Sequence, residues 1–193
     1  MKYLFVFIVI VLALSSCAKS NERKPSSITR KLNDAAIELS KYGKDSVMRS
    51  IQLLDSAIKI DSSYILAYNN KLSFLNQIRD YNGALTTLKA MEGRDDKNKS
   101  LFLLIGIHYE RIGIIDSAFI YYNKSLDVLT NVSSDDCKCE VSLAVTRLLL
   151  YNEHFDSSKY PERCMKVFDS LGFSSSYFIE REKFLHDYFG DKE

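Results

Sequence analysis

His108, Glu110 and Arg111 surround Tyr109 in the stretch "GIHYERIGIIDSAFIYYNKSL", residues 106–126. An imidazole can carry a proton, a carboxylate can orient it, and a guanidinium can hold an anion. A nucleophilic enzyme also needs a Ser, Cys or Asp within reach of its base. Nothing in the sequence places one beside His108, so a packing or surface role is the better reading. The sequence has no GxGxxG, Walker loop, GxSxG or HExxH, the spacings that cradle phosphates, raise a serine or hold a zinc. Acidic pairs such as Asp95-Asp96 and Asp135-Asp136 read as solvated residues in turns between helices. The expectation is a protein that is not an enzyme and has no cofactor or metal.

The 193 residues are 46% hydrophobic and 26% charged, enough apolar material for one globular domain. Lys and Arg number 26 against 25 Asp and Glu, so no basic field suggests nucleic acid. Two prolines and seven glycines leave few chain breakers, and the composition leans helical.

Residues 3–14 form an unbroken apolar run behind Lys2. The run is shorter than the roughly 20 residues that span a bilayer as a helix. It matches the apolar core of an export signal. The four residues that close it, Leu14-Ser15-Ser16-Cys17, resemble the lipobox of bacterial lipoproteins. The resemblance implies removal of residues 1–16 and acylation of Cys17. Several acyl chains on one terminus anchor a protein stably. Residues 17–29 are polar, carry Pro25, and read as a tether. Among lipoproteins an Asp after the acylated Cys favours inner-membrane retention, and Ala18 stands there instead. The expected place is the outer membrane of a bacterial envelope, facing the periplasm.

Cys137, Cys139 and Cys164, with His154 between them, form a second reactive set. Three sulfurs and one nitrogen can bind zinc tetrahedrally, but paired zinc cysteines usually stand two to four residues apart. An exported chain meets an oxidising compartment. Three readings stay open: a disulfide from Cys139 or Cys137 to Cys164 with one thiol left over, free thiols, or a metal site.

The strongest pattern is a repeat. Ala84 and Ala118 are 34 residues apart, as are Ile78 and Ile112. With Lys99 as position 1, large residues fall at 4, 7, 11, 17 and 24 (Phe102, Ile105, Tyr109, Ile115, Tyr122). Small ones fall at 8, 20 and 27 (Gly106, Ala118, Ser125). Helices approach closely only where a small side chain faces a large one, and Gly113 suits a helix end. These spacings resemble the tetratricopeptide repeat, a 34-residue pair of antiparallel helices. Residues 65–98 fit with Tyr68, Leu75, Tyr81, Ala84 and Leu88, although Lys71, Leu72 and Met91 depart. Residues 31–64 fit at Leu54 and Ala57, while Glu38 and Lys41 occupy normally apolar or small places. A length change near Gly43 accounts for that, with Asp45-Ser46 expected to cap the next helix. Val141, Ala144, Val145, Leu148 and Leu149 share one helical face beyond the repeats. Pro161 and Gly172 bracket another helix, and Tyr177, Phe184, Leu185 and Tyr188 share the face of a last one.

The expected fold is therefore all-α. The resemblance implies a right-handed superhelix, an α-solenoid of antiparallel helix pairs. About three tetratricopeptide repeats fill residues 30–132, and a degenerate helix pair with a capping helix fills residues 133–193. Repeat stacks of this kind bind proteins in a concave groove. The groove positions in the family correspond here to Leu66, Asn69, Ser73, Asn76 and Gln77, and to Ser100, Leu103, Ile107, Glu110 and Arg111. The first set is rich in amides, which both donate and accept hydrogen bonds along a peptide backbone. The expected activity is non-catalytic capture of a protein or peptide by a lipid-anchored adaptor. The other reading is a structural spacer in an envelope assembly or uptake complex.

Overall fold

The computed structural model describes residues 25–94, 98–132 and 137–153, together with Cys164, Arg181, Glu182, Phe184 and Leu185. The expected export signal, Cys17, Pro161, Gly172, Tyr177 and Tyr188 lie outside the described residues. Seven α-helices and no strand occur among the described residues: α1 (Ser27–Leu39), α2 (Lys44–Ile60), α3 (Ile65–Gln77), α4 (Tyr81–Met91), α5 (Leu101–Arg111), α6 (Ile115–Thr130) and α7 (Cys137–Tyr151). Each helix of this all-helical chain packs on the next within two compact units, residues 19–96 and residues 97–193.

In the first unit, Ser26 caps α1 by accepting the Thr29 N–H at 3.1 Å. The helix buries Thr29, Asn33 and Ala36. Asn33 is satisfied across the unit, because the Asn70 side chain on α3 donates to its Oδ1 at 2.7 Å. Glu38 and Lys41, the misfits of the repeat pattern, pair with each other at 2.7 Å on the surface. The length change at Gly43 is present. A 3-10 turn (Ser40–Tyr42) ends at Gly43, whose φ of 103° starts α2 directly. The capping residue is thus Gly43. Asp45 and Ser46, the expected caps, lie inside the first turn, where Asp45 still complements the helix dipole. Val47, Ser50, Leu54 and Ala57 form the buried stripe of α2, at spacings of three and four. Leu72 is buried on α3 although its place calls for a small residue, and Lys71 reaches Asp55 on α2 at 2.5 Å.

In the second unit, α5 and α6 cross at Gly106. A Cβ there would sit 2.5 Å from the Tyr122 ring and 3.2 Å from the Ala118 carbonyl oxygen. Only a residue without a side chain allows that approach. Ile105, Ala118, Tyr122 and Ser125 are buried as the register requires. Tyr109 stacks on Tyr121 at 5.4 Å between ring centres. Ile115 departs from the expectation: it is 46% exposed, and α6 packs through Ala118, Tyr121, Tyr122, Ser125 and Leu129 instead. On α7 the five residues of the expected apolar face are all buried. The helix is also tied down by hydroxyls. Ser142 pairs with Ser100 at 2.7 Å, and Thr146 pairs with Ser125 at 3.0 Å.

One backbone device recurs in both units. After α3 the Arg79 N–H donates to the Asn76 carbonyl at 3.0 Å and the Asp80 N–H to the Leu75 carbonyl at 2.8 Å. After α5 the Gly113 N–H donates to Glu110 at 3.0 Å and the Ile114 N–H to Tyr109 at 2.9 Å. Both ends are the paired six-to-one and five-to-two closure that needs a left-handed residue. Gly113 takes φ 83° and Arg79 takes φ 62°, at positions 34 residues apart.

Candidate functional site

Three polar residues of α3, Asn69, Ser73 and Gln77, are not among those its core buries. Ala67, Tyr68, Leu72, Phe74 and Leu75 are buried. Asn69 and Ser73 are half-buried, and Gln77 and Leu66 are exposed. Asn69, Ser73 and Gln77 follow one another at i, i+4 and i+8, so they form a single row along the helix. Asn76 differs from the expectation: it is buried, and belongs to the interior edge of the helix rather than to its open face. The row that remains is two amides and a hydroxyl, with Leu66 at its N-terminal end.

The second group of expected groove residues is differently placed. Leu103 and Ile107 are fully buried. The reason is compositional, because α5 reads LFLLIGIHYER and is apolar on nearly every side. A helix of that kind is enclosed by its neighbours. Glu110 is engaged within its own unit. The Tyr122 hydroxyl donates to its Oε2 at 2.6 Å, the Arg181 guanidinium pairs with its Oε1, and its side chain is only 8% exposed. Arg181 is anchored in turn. Its Nε donates to the Leu149 carbonyl at 2.9 Å, and its backbone N–H donates to Asn152 Oδ1 at 3.2 Å. Arg111 is half-buried. Ser100 is buried as well, paired with Ser142, so four of these five residues, Ser100, Leu103, Ile107 and Glu110, are packing, hydrogen-bond or ion-pair residues of the unit. Arg181 was not legible as a partner, since it stands 71 residues from Glu110.

His108 is enclosed. Its Nδ1 lies 2.8 Å from the Leu104 carbonyl oxygen, which only accepts, so Nδ1 carries the hydrogen. Burial pushes its pKa down to about 4, against a smaller opposite effect of that hydrogen bond. A neutral imidazole buried against a backbone carbonyl is a core group.

Cys137 and Cys164 are joined, with Cα atoms 4.9 Å apart. Of the two partners the sequence left open for Cys164, Cys137 is the one that bonds, and Cys139 is buried outside the bridge. On a helix Cys137 and Cys139 lie about 200° apart, so only one can face Cys164. His154 lies outside the described residues. Among the described residues no three His, Cys, Asp or Glu are grouped to hold a metal ion.

Sequence reasoning missed one feature altogether. A cavity of about 410 Å³ opens in the first unit between the 3-10 turn, the start of α2 and the end of α3. Lys41, Lys44 and Arg79 line it, with Ser40, Gly43 and Gln77. Val47 and Ile78 supply its apolar part. The signal was present but scattered, since these cations belong to two helix junctions that only folding brings together. No helix among the described residues is long and apolar enough to cross a membrane. Comparison of the chain with known protein families, curated proteins and solved structures finds no match.

Proposed function

We propose that the chain is a lipid-anchored, non-catalytic adaptor of the bacterial cell envelope, and that it holds a protein or peptide partner on the polar row of α3. The proposal includes the finer architecture: tetratricopeptide-like pairs α1–α2, α3–α4 and α5–α6, followed by a degenerate C-terminal pair, wound as a right-handed superhelix. Support for the pairing comes from the helix ends at Arg79 and Gly113, which close identically 34 residues apart. The anchor rests on Cys17 at the end of the apolar run of residues 3–14.

The observation that carries the binding role is the row itself. Asn69, Ser73 and Gln77 present donors and acceptors on one helical face that the unit's own core does not use. An extended peptide offers alternating N–H and C=O groups, and Leu66 adds an apolar contact at the end of the row. Each hydrogen bond contributes about 0.5–1.5 kcal/mol net. The double change Asn69→Ala with Ser73→Ala should therefore weaken capture of the crosslinked partner by about tenfold, while helicity and melting stay near those of the parent. Equal recovery by the double variant removes the binding site from this face. It would favour the second reading, a spacer in an envelope assembly. That reading draws on the second unit, where Leu103, Ile107 and Glu110 are used for internal packing and pairing rather than for recognition.

A further inference from the structure

We propose that the cavity between the 3-10 turn, the start of α2 and the end of α3 binds a phosphate group. Three of its lining side chains are cationic, Lys41, Lys44 and Arg79, and none is acidic. That concentration stands out in a chain with 26 basic and 25 acidic residues. The acidic residues close in sequence do not cancel it. Glu38 pairs with Lys41 on the surface at 2.7 Å, an exposed contact worth little and open to exchange. Asp80 is occupied in capping α4, accepting the Gly83 N–H at 2.8 Å. Asp45 lies in the first turn of α2 but does not line the cavity. Lys44 and Arg79 make no ion pair among the described residues.

The chemistry selects phosphate over a simple carboxylate. A carboxylate is singly charged and a single arginine fork satisfies it. Here one arginine and two lysines from two separate junctions line a single cavity, a set suited to a multiply charged group with several oxygens. The Gln77 amide adds a neutral donor, while the Ser40 hydroxyl donates to the Ile37 carbonyl at 2.8 Å, and the space beside Gly43 is open, with nothing within 4 Å of where a Cβ would stand. Arg79 is also the residue that holds the left-handed end of α3, where the second unit has Gly113. Glycine is the cheaper residue at such a position, so the arginine side chain stands there against the backbone's preference. A volume of about 410 Å³ is at the lower end of small-molecule sites, enough for a phosphorylated headgroup or sugar. Gln77 belongs also to the peptide-binding row, but the inference rests on the three cations, which do not.

The test follows melting of the full chain in inorganic phosphate, in glucose 6-phosphate and in glycerophosphoglycerol, each against chloride at equal ionic strength. The last probe is the phosphodiester headgroup of an anionic lipid without its acyl chains. A rise with phosphate or the sugar phosphate assigns a free ligand, and a rise with the diester alone assigns the lipid headgroup. In either case Lys44→Gln should weaken the titration about tenfold, the loss of one charge-assisted contact. Arg79→Gly should weaken it similarly while raising the melting temperature in chloride, so that binding and stability move in opposite directions. No rise with any of the three probes, or a rise that survives both substitutions, overturns the proposal.

Discussion

His108 shows how a residue suited to catalysis is converted into a core group by its surroundings. Burial holds its folded pKa at about 4, below the ordinary 6.5. The unfolded chain then takes up a proton first as the pH falls. Its contribution to stability is complete above about pH 6.5, declines as the pH falls toward 4, and reaches about 3 kcal/mol in all. Denaturation midpoints measured between those limits should fall with acid in the parent and fall less steeply in His108→Gln. Other titrating groups act in both proteins, so the difference between the two curves belongs to His108. Parallel curves would mean that the imidazole is not enclosed. From sequence, the side chain types around Tyr109 were legible but their directions were not. Glu110 looked available because its partner, Arg181, stands far along the chain. Asn76 looked like Asn69 because the two stand seven residues apart, only about 20° around the helix, and that small turn takes the side chain from a half-buried edge to a buried one.

At the scale of helices the pattern of large and small residues was a good guide wherever packing is the dominant cause. Gly106, Ala118 and Tyr122 meet as their spacing requires, Ser125 is buried, and the α7 face is buried as expected. Ala118 faces the closest approach of two helices, so Ala118→Leu should overpack the crossing and lower stability by about 1–3 kcal/mol. An unchanged melting curve for that variant would contradict the α5–α6 contact. The pattern was a poorer guide where polar groups do the packing. Asn33 is a core residue of α1 because α3 supplies Asn70 to satisfy its amide oxygen, and the Thr29 hydroxyl pairs with that of Ser26 at 2.8 Å. No apolar period announces such a pair. Ile115 departs as well: it stands at the first position of α6 and is 46% exposed.

For the molecule as a whole, two cysteine experiments separate anchoring from folding. Cys17→Ala should move the protein from membranes to a soluble fraction; a variant that stays bound after a high-salt wash would refute the lipid anchor. Loss of the bridge acts on the second unit instead. Cys137 and Cys164 are 27 residues apart in sequence. Closing a loop of that size restricts the unfolded chain and is worth about 3–4 kcal/mol in the chain-entropy account. Cys164→Ser should therefore lower stability by that order, and reductant should do the same to the parent but nothing further to the variant. The bridge also gives the chain a direction in time. Disulfides are rare where the reducing cytosol keeps thiols apart and persist where the surroundings oxidise them. Under the export proposed above, a newly made copy would carry the bridge open, and so a loosened second unit, until it reached oxidising surroundings where Cys137 and Cys164 join.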